Sequence, residues 1–407
     1  MHITDDHTSL SSALSATPPL QPTKPHTSLA SLPYDLKRYV AAAVDAIDCA
    51  GDNQSKDDGP APPRNRETVA ALRLAGGRDW AEVLEEYVWK DISLDNRDFT
   101  SLFHLLRDIL PSKTRYFRSL RWLRPAHQPG PDGEALSEPD ARTVPALLAA
   151  VIAASPRLEE ARLAILRAFP PKLYPVDSAP PPLRMMAGSA PLPHPARDCI
   201  AVYRALEIPA QAGKLKRLAI DCRLGRDPLL PALLDLYQAC REGGLEELSV
   251  TPLFSSYGWR EGHPLTRTAD YHAFLTSLFD FPSLASLSLK QILLPDYVAT
   301  IPCRWDRLTR LSLEFTAPED PNVFLLLLDR VAGQLTHLSL VDTPGPSFYA
   351  AFPTPPSPDS PFFRDSPGVI QLPRLENLTV GANGSEGGEA EQVKAWCEER
   401  GVRAEVV

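Results

Sequence analysis

The sequence predicts an α/β protein in which short parallel strands alternate with helices, and three observations carry that prediction. A hexapeptide of leucine, two variable residues, leucine, one variable residue and leucine recurs as LASLSL (284–289), LTRLSL (308–313) and LTHLSL (335–340). With Ile or Val allowed last, LKRLAI (215–220), LEELSV (245–250) and LENLTV (375–380) join them, and FRSLRW (117–122) and LEEARL (158–163) are looser copies. Segments with helical spacing of apolar residues lie between most copies, and 43% of the 407 residues are hydrophobic, enough for a sizeable core.

The physical reason starts from the spacing. The last two apolar positions of the hexapeptide are two apart, so they share one face of a strand, and the first closes the core under the preceding turn. One such strand cannot bury its face alone, so neighbours stack and share a core. Parallel neighbours need a return path, and the sequence supplies one. PLLPALLDLYQACREGG (228–244) reads as a helix with Leu229, Leu233, Leu236 and Tyr237 on one face and glycine as its stop. YHAFLTSLFDF (271–281) and PNVFLLLLDRVAG (321–333) play the same part, with Pro321 in a first turn after Asp320. CIAVYRALEIPA (199–210) reads as a packing helix, EAEQVKAWCEERG (389–401) as the last helix and VRAEVV (402–407) as an end strand.

A different pattern precedes the hexapeptides. SLPYDLKRYVAAAVDAID (31–48) predicts a helix whose apolar face is Leu36, Val40, Ala43, Val44 and Ile47, with Pro33 in the first turn and Asp35 at the positive end of the dipole. After a polar gap (53–66), residues 68–94 predict a helix bearing Val69, Leu72 and Leu74, a break at Gly76-Gly77, a second helix bearing Trp80, Val83, Leu84, Tyr87 and Val88, and an exit strand over 89–94.

Over roughly residues 115–407 the hexapeptides resemble the leucine-rich-repeat family. At the position that family fills with asparagine this chain has Asn383, but elsewhere Arg223, Leu253, Ile292, Thr316 and Thr343. The resemblance therefore implies an irregular leucine-rich-repeat solenoid, with parallel strands on the concave face and helices on the convex face. Residues 29–94 resemble an F-box, the helical module that docks on the adaptor of cullin–RING ubiquitin ligases. The residues that carry this are Leu32-Pro33, Asp35-Leu36, Leu72 and Leu74, Arg78 with Trp80, and Val88-Trp89-Lys90. The chain departs from that family by an insertion after the first helix and by Gly76-Gly77. The expected organisation is a disordered tail (1–28), the F-box-like module (29–94) and the leucine-rich-repeat domain (95–407), with Pro-rich insertions near 170–195 and 343–370. The order of the two modules implies a non-catalytic substrate receptor of a cullin–RING (SCF-type) ligase. Leu32, Pro33, Leu36 and Val40 would face the adaptor. The alternative is a protein-interaction scaffold with a helical N-cap and no ubiquitin role.

With the leucines inward, the variable positions point outward. The column between the last two core positions is small: Ala219, Ser249, Ser288, Ser312, Ser339 and Thr379. The flanking columns carry Arg217, Glu247, Arg310, His337 and Asn377 on one side and Lys290 on the other. Two readings stand: small residues that relieve crowding, or a groove for a target protein contacted by Arg217, Glu247, Lys290, Arg310, Ser312, His337 and Asn377.

The remaining features narrow the function. A net charge of −9 argues against general nucleic-acid binding. RDILPSKTRYFRSLRWLRP (107–125) holds six basic residues, one acid and three aromatics, but Phe117, Leu120 and Trp122 fit the hexapeptide pattern and read as core. Its cations suit an acidic protein partner or a solvated face. The N-terminus lacks a secretory pattern, and the longest apolar run, VPALLAAVIAA (144–154), is too short to span a bilayer, so the expected location is cytoplasmic, nuclear or both, with no membrane contact. Six scattered cysteines with no Cys-x-x-Cys read as reduced thiols. No nucleophile elbow, phosphate loop or metal-ligand motif is present, so no catalytic residue, metal or cofactor is expected.

Overall fold

Every hexapeptide copy becomes one strand of a single ten-stranded sheet in the computed structural model. Its strands are β1 (Asp91–Ser93), β2 (Ser119–Trp122), β3 (Glu160–Leu163), β4 (Arg217–Arg223), β5 (Glu247–Leu253), β6 (Ser286–Lys290), β8 (Arg310–Glu314), β10 (His337–Val341), β11 (Asn377–Val380) and β12 (Arg403–Val406), paired in that order. All pairs are parallel, and the register keeps one hexapeptide position opposite the same position of the next: Leu218 faces Leu248, Leu248 faces Leu287, Leu287 faces Leu311, and Leu311 faces Leu338. A separate two-stranded pairing joins β7 (Leu293–Leu294) to β9 (Ala317–Pro318). The structure describes residues 32–52, 80, 83–95, 97, 99–123, 138–164, 195–223, 229–253, 268–314, 317–318, 321–341, 372–381, 394–395 and 397–406. The expected 1–28 tail and both Pro-rich insertions lie outside them, as do Leu72, Leu74, Gly76, Gly77, Arg78 and Asn383.

The chain divides into two compact units, Met1–Tyr87 and Val88–Val407. In the first, helix α1 (Tyr34–Asp52) opens with Lys37 N donating to Pro33 O at 3.0 Å, so Pro33 stands where its missing N–H costs nothing. Ala41, Trp80, Val83 and Leu84 are buried in this unit, and Arg38 lies 3.9 Å from Glu86.

In the second unit the helices are the return paths. They are α2 (Phe99–His104), α3 (Glu138–Ala153), α4 (Pro195–Gln211), α5 (Leu229–Glu242), α6 (Ala269–Phe279) and α7 (Pro321–Val331). Leu229, Leu233, Leu236 and Tyr237 are all buried, as their spacing predicts. The link from β6 to β8 has no α-helix; a 3₁₀ turn (Asp296–Thr300) and Trp305 fill its place. Core residues of the strands are buried while Arg217, Arg310 and His337 are exposed, so the helices cover the leucine face alone.

One backbone device recurs at the start of successive strands. Two consecutive amides donate to a single carbonyl of the previous strand's lead-in: Lys216 and Arg217 to Glu159 O, Glu246 and Glu247 to Lys216 O, Ala285 and Ser286 to Glu246 O, Thr309 and Arg310 to Ala285 O, Thr336 and His337 to Thr309 O. This satisfies the lead-in backbone whatever the side chain, which is why the variable positions are free to vary.

Glycine is required where α5 ends. Gly244 has φ +72°, and a Cβ on Gly243 would stand 1.9 Å from the Ala210 carbonyl oxygen. Gly243→Ala is expected to destabilise the chain by about 2 kcal/mol through overpacking. Gly333→Ala, with nothing within 4 Å of its Cβ, is expected to leave the urea midpoint in place.

Candidate functional site

The outward face of the sheet brings the sequence-predicted partner residues together, and it pairs them with one another. Arg217 Nε and Nη2 donate to Glu160 Oε2 at 3.0 and 2.8 Å across the β3–β4 step. Arg310 Nη2 donates to Glu247 Oε1 at 3.1 Å, reaching across β6, where the intervening residue is the small Ser286. Lys290 pairs with Glu314 on β8. His337 Nε2 and Asn377 Nδ2 are 2.8 Å apart. His337 Nδ1 lies 2.8 Å from Thr336 Oγ1, which donates to Thr309 O at 3.1 Å. Ser312 sits in the small lane beside these pairs, partly exposed and in register with Ser288 and Ser339. Glu160 is hard to find from sequence because its hexapeptide, LEEARL, is a loose copy with Ala161 at a core position.

These pairs are half-exposed, so each contributes little to stability. The Arg310 and Glu247 side chains are 52% and 37% exposed. Arg310→Ala is expected to lower stability by about 0.5 kcal/mol in low salt and by less in 1 M salt, checked by urea unfolding. What the pairs do is set which charge stands where, giving a surface of fixed polar pattern with a low floor.

The second candidate surface is on α1. Leu36 and Tyr39 are 51% and 74% exposed, Pro33 and Ala43 are exposed, and Leu32 and Val40 are half-buried. Residues 32, 36, 39 and 43 fall on one helical face, while buried Lys37 and Ala41 fall on another. The expected apolar face is therefore split: Leu36, Val40 and Ala43 border the outward side, Ala41 supplies the inward side, and the side chains of Val44 and Ile47 lie outside the described set. Tyr39 belongs to the same outward stripe, and its spacing of three from Leu36 and four from Ala43 is the sequence signal for it.

The third is the segment before β2. A π-helical turn (Leu105–Ile109) and two 3₁₀ turns (Leu110–Ser112 and Thr114–Tyr116) carry the chain into the strand. Phe117, Leu120 and Trp122 are buried, as the hexapeptide pattern requires. Arg107 grips Asp108 through both carboxylate oxygens, Nε to Oδ1 at 2.6 Å and Nη2 to Oδ2 at 2.9 Å, and His104 Nδ1 adds a contact at 3.1 Å. The Arg107 guanidinium first, and His104 second, hold the exposed Asp108 carboxyl down to about 2, from an ordinary 3.8. A depressed carboxylate favours the folded chain above its unfolded pKa, and that contribution is lost as pH falls through the folded value, here between about pH 4 and pH 2. A carboxyl-detected NMR titration is expected to place the Asp108 midpoint near 2, and Arg107→Gln to move it back toward the ordinary range.

Burial pushes the Cys240 thiol well above its usual range. Among the described residues no group of three His, Cys, Asp or Glu is placed to hold a metal ion, and no helix is long and apolar enough to cross a membrane. A scan against protein-family models finds no match to the chain, and a search of curated proteins finds none either.

Proposed function

We propose that the chain is a non-catalytic substrate-recognition subunit of a cullin–RING ubiquitin ligase, acting in the cytoplasm or nucleus. In this reading α1 is the first helix of an F-box-like module and docks on the adaptor. The sheet unit is an irregular leucine-rich-repeat solenoid that holds a target protein on its outward strand face. The observation that carries the reading is the outward apolar stripe of α1. Leucine and tyrosine side chains held in water on a helix that also has an inward face make sense when a partner covers them. The resemblance of Leu32-Pro33 to the head of an F-box, and the order of the two proposed modules, support the ligase adaptor as that partner.

The test is co-purification of the full chain with the recombinant adaptor, wild type beside the Leu32→Ala/Pro33→Ala double variant. Capture of wild type and loss in the variant support the reading. Failure of folded wild type to be captured removes it.

A second reading is favoured by the cross-strand pairs. A face whose charges already satisfy one another suits a scaffold whose helical N-terminal unit is only a cap, with no ubiquitin role. It predicts that neither α1 nor the motif at its head affects adaptor capture.

A further inference from the structure

The segment before β2 has a property that neither contact face accounts for. Residues 99–118 contain four Lys or Arg, at 107, 113, 115 and 118, and a single carboxylate, Asp108, in a chain whose net charge is −9. All three cation–π contacts among the described residues fall here: Arg107 over Phe103 at 4.8 Å, Lys113 over Trp89 at 6.0 Å and Arg115 over Tyr116 at 4.6 Å from the ring centroids. The tight turns compress the chain, because 3₁₀ backbone rises only about 2 Å per residue, so Arg107 to Arg115 spans no more than about 16 Å. Ser112 Oγ donates to Ile109 O at 2.9 Å and Thr114 Oγ1 to Pro111 O at 3.4 Å, which pins those turns. Among them Ile109 is 43% exposed.

We propose that this surface docks a short acidic protein segment, rich in Asp and Glu and carrying one apolar side chain that covers Ile109. Charge complementarity selects the carboxylates. An aromatic ring beneath Arg107, Lys113 and Arg115 holds each in place, so less side-chain freedom is lost on binding, whereas Arg118 is paired with Glu159 at 2.9 Å and stands outside the site. The patch is too small for nucleic acid, which is typically gripped through about 6–10 phosphates, and the chain's net negative charge repels a long polyanion. The residues named here all belong to the Val88–Val407 unit and none to the adaptor motif, so the inference is tested separately from the ubiquitin-ligase reading.

The experiment is fluorescence anisotropy of the full chain with a labelled twelve-residue peptide of Asp and Glu around a central Leu. The expected result is saturable binding that weakens as salt is raised and disappears when the peptide's acids become Asn and Gln. Arg107→Gln/Lys113→Gln/Arg115→Gln is expected to weaken it by about tenfold or more, and Arg115→Gln alone by about threefold, the scale of exposed charge pairs. Ile109→Ser weakens it without changing the salt dependence, and Leu32→Ala/Pro33→Ala leaves it intact. The single Arg115 variant decides the matter if the triple variant proves unfolded by circular dichroism. The proposal is overturned by absence of saturable binding, by undiminished binding to the Arg115 and triple variants, or by tighter binding of a single-stranded RNA of equal charge.

Discussion

Trp305→Ala is expected to cost about 4 kcal/mol of stability, the upper range for a large buried aromatic. Trp305 is 2% exposed and stacks on Phe279, with centroids 4.7 Å apart and planes 17° from parallel. Its Nε1 donates to Leu278 O at 2.9 Å at the end of α6, and its own carbonyl accepts from the Gln334 side chain just beyond α7. It thus bridges two return paths at the β6–β8 link, where a 3₁₀ turn stands in place of an α-helix. Truncation removes the stack, leaves a cavity and strands the Leu278 carbonyl. Trp305→Phe keeps much of the stack and loses the hydrogen bond, so it should cost about half as much. Urea unfolding of the three proteins checks the order. Equal midpoints for wild type and Trp305→Ala would mean that the β6–β8 link is not packed as described.

If α1 docks on the ligase adaptor as proposed, Leu36→Asp and Tyr39→Asp are expected to weaken that binding by about a hundredfold or more, the effect of removing a central apolar anchor from an interface. Both side chains are more than half exposed in the chain itself, so neither change should move the unfolding midpoint by more than about 0.5 kcal/mol equivalent. Ala41→Asp gives the opposite pattern. Ala41 is fully buried, so an added carboxylate there should unfold the N-terminal unit before it informs on binding. The separation of the two outcomes is the value of the comparison: binding lost with folding kept at positions 36 and 39, folding lost at position 41.

The sheet was legible because its signal is redundant. Leu218, Leu248, Leu287, Leu311, Leu338 and Leu378 each sit at the same hexapeptide position, and a one-residue slip would turn every one of them to solvent. Even the loose copies landed on strands, because Leu120 and Ala161 keep the spacing of two to Trp122 and Leu163. The short leading and end strands, Asp91–Ser93 and Arg403–Val406, were also readable. The outward face was only half legible. Sequence spacing places Arg217, Glu247 and Arg310 in one column, but it says nothing of which charge reaches which. Glu247 and Arg310 meet only because Ser286 between them is small. On α1 the apolar residues span more than half the helix, so composition alone left the inward and outward sides undivided. Burial of Lys37 and Ala41 divides them.

The central claim is that α1 is a docking helix. The most direct measurement is amide hydrogen exchange of the full chain, alone and with a saturating amount of the recombinant adaptor. The account predicts slowed exchange over residues 32–43 on adding the adaptor, with no change over the strands at 286–290, 310–314 and 337–341. Unchanged exchange over 32–43, in a chain whose strand amides are well protected, would contradict it and leave α1 as a cap.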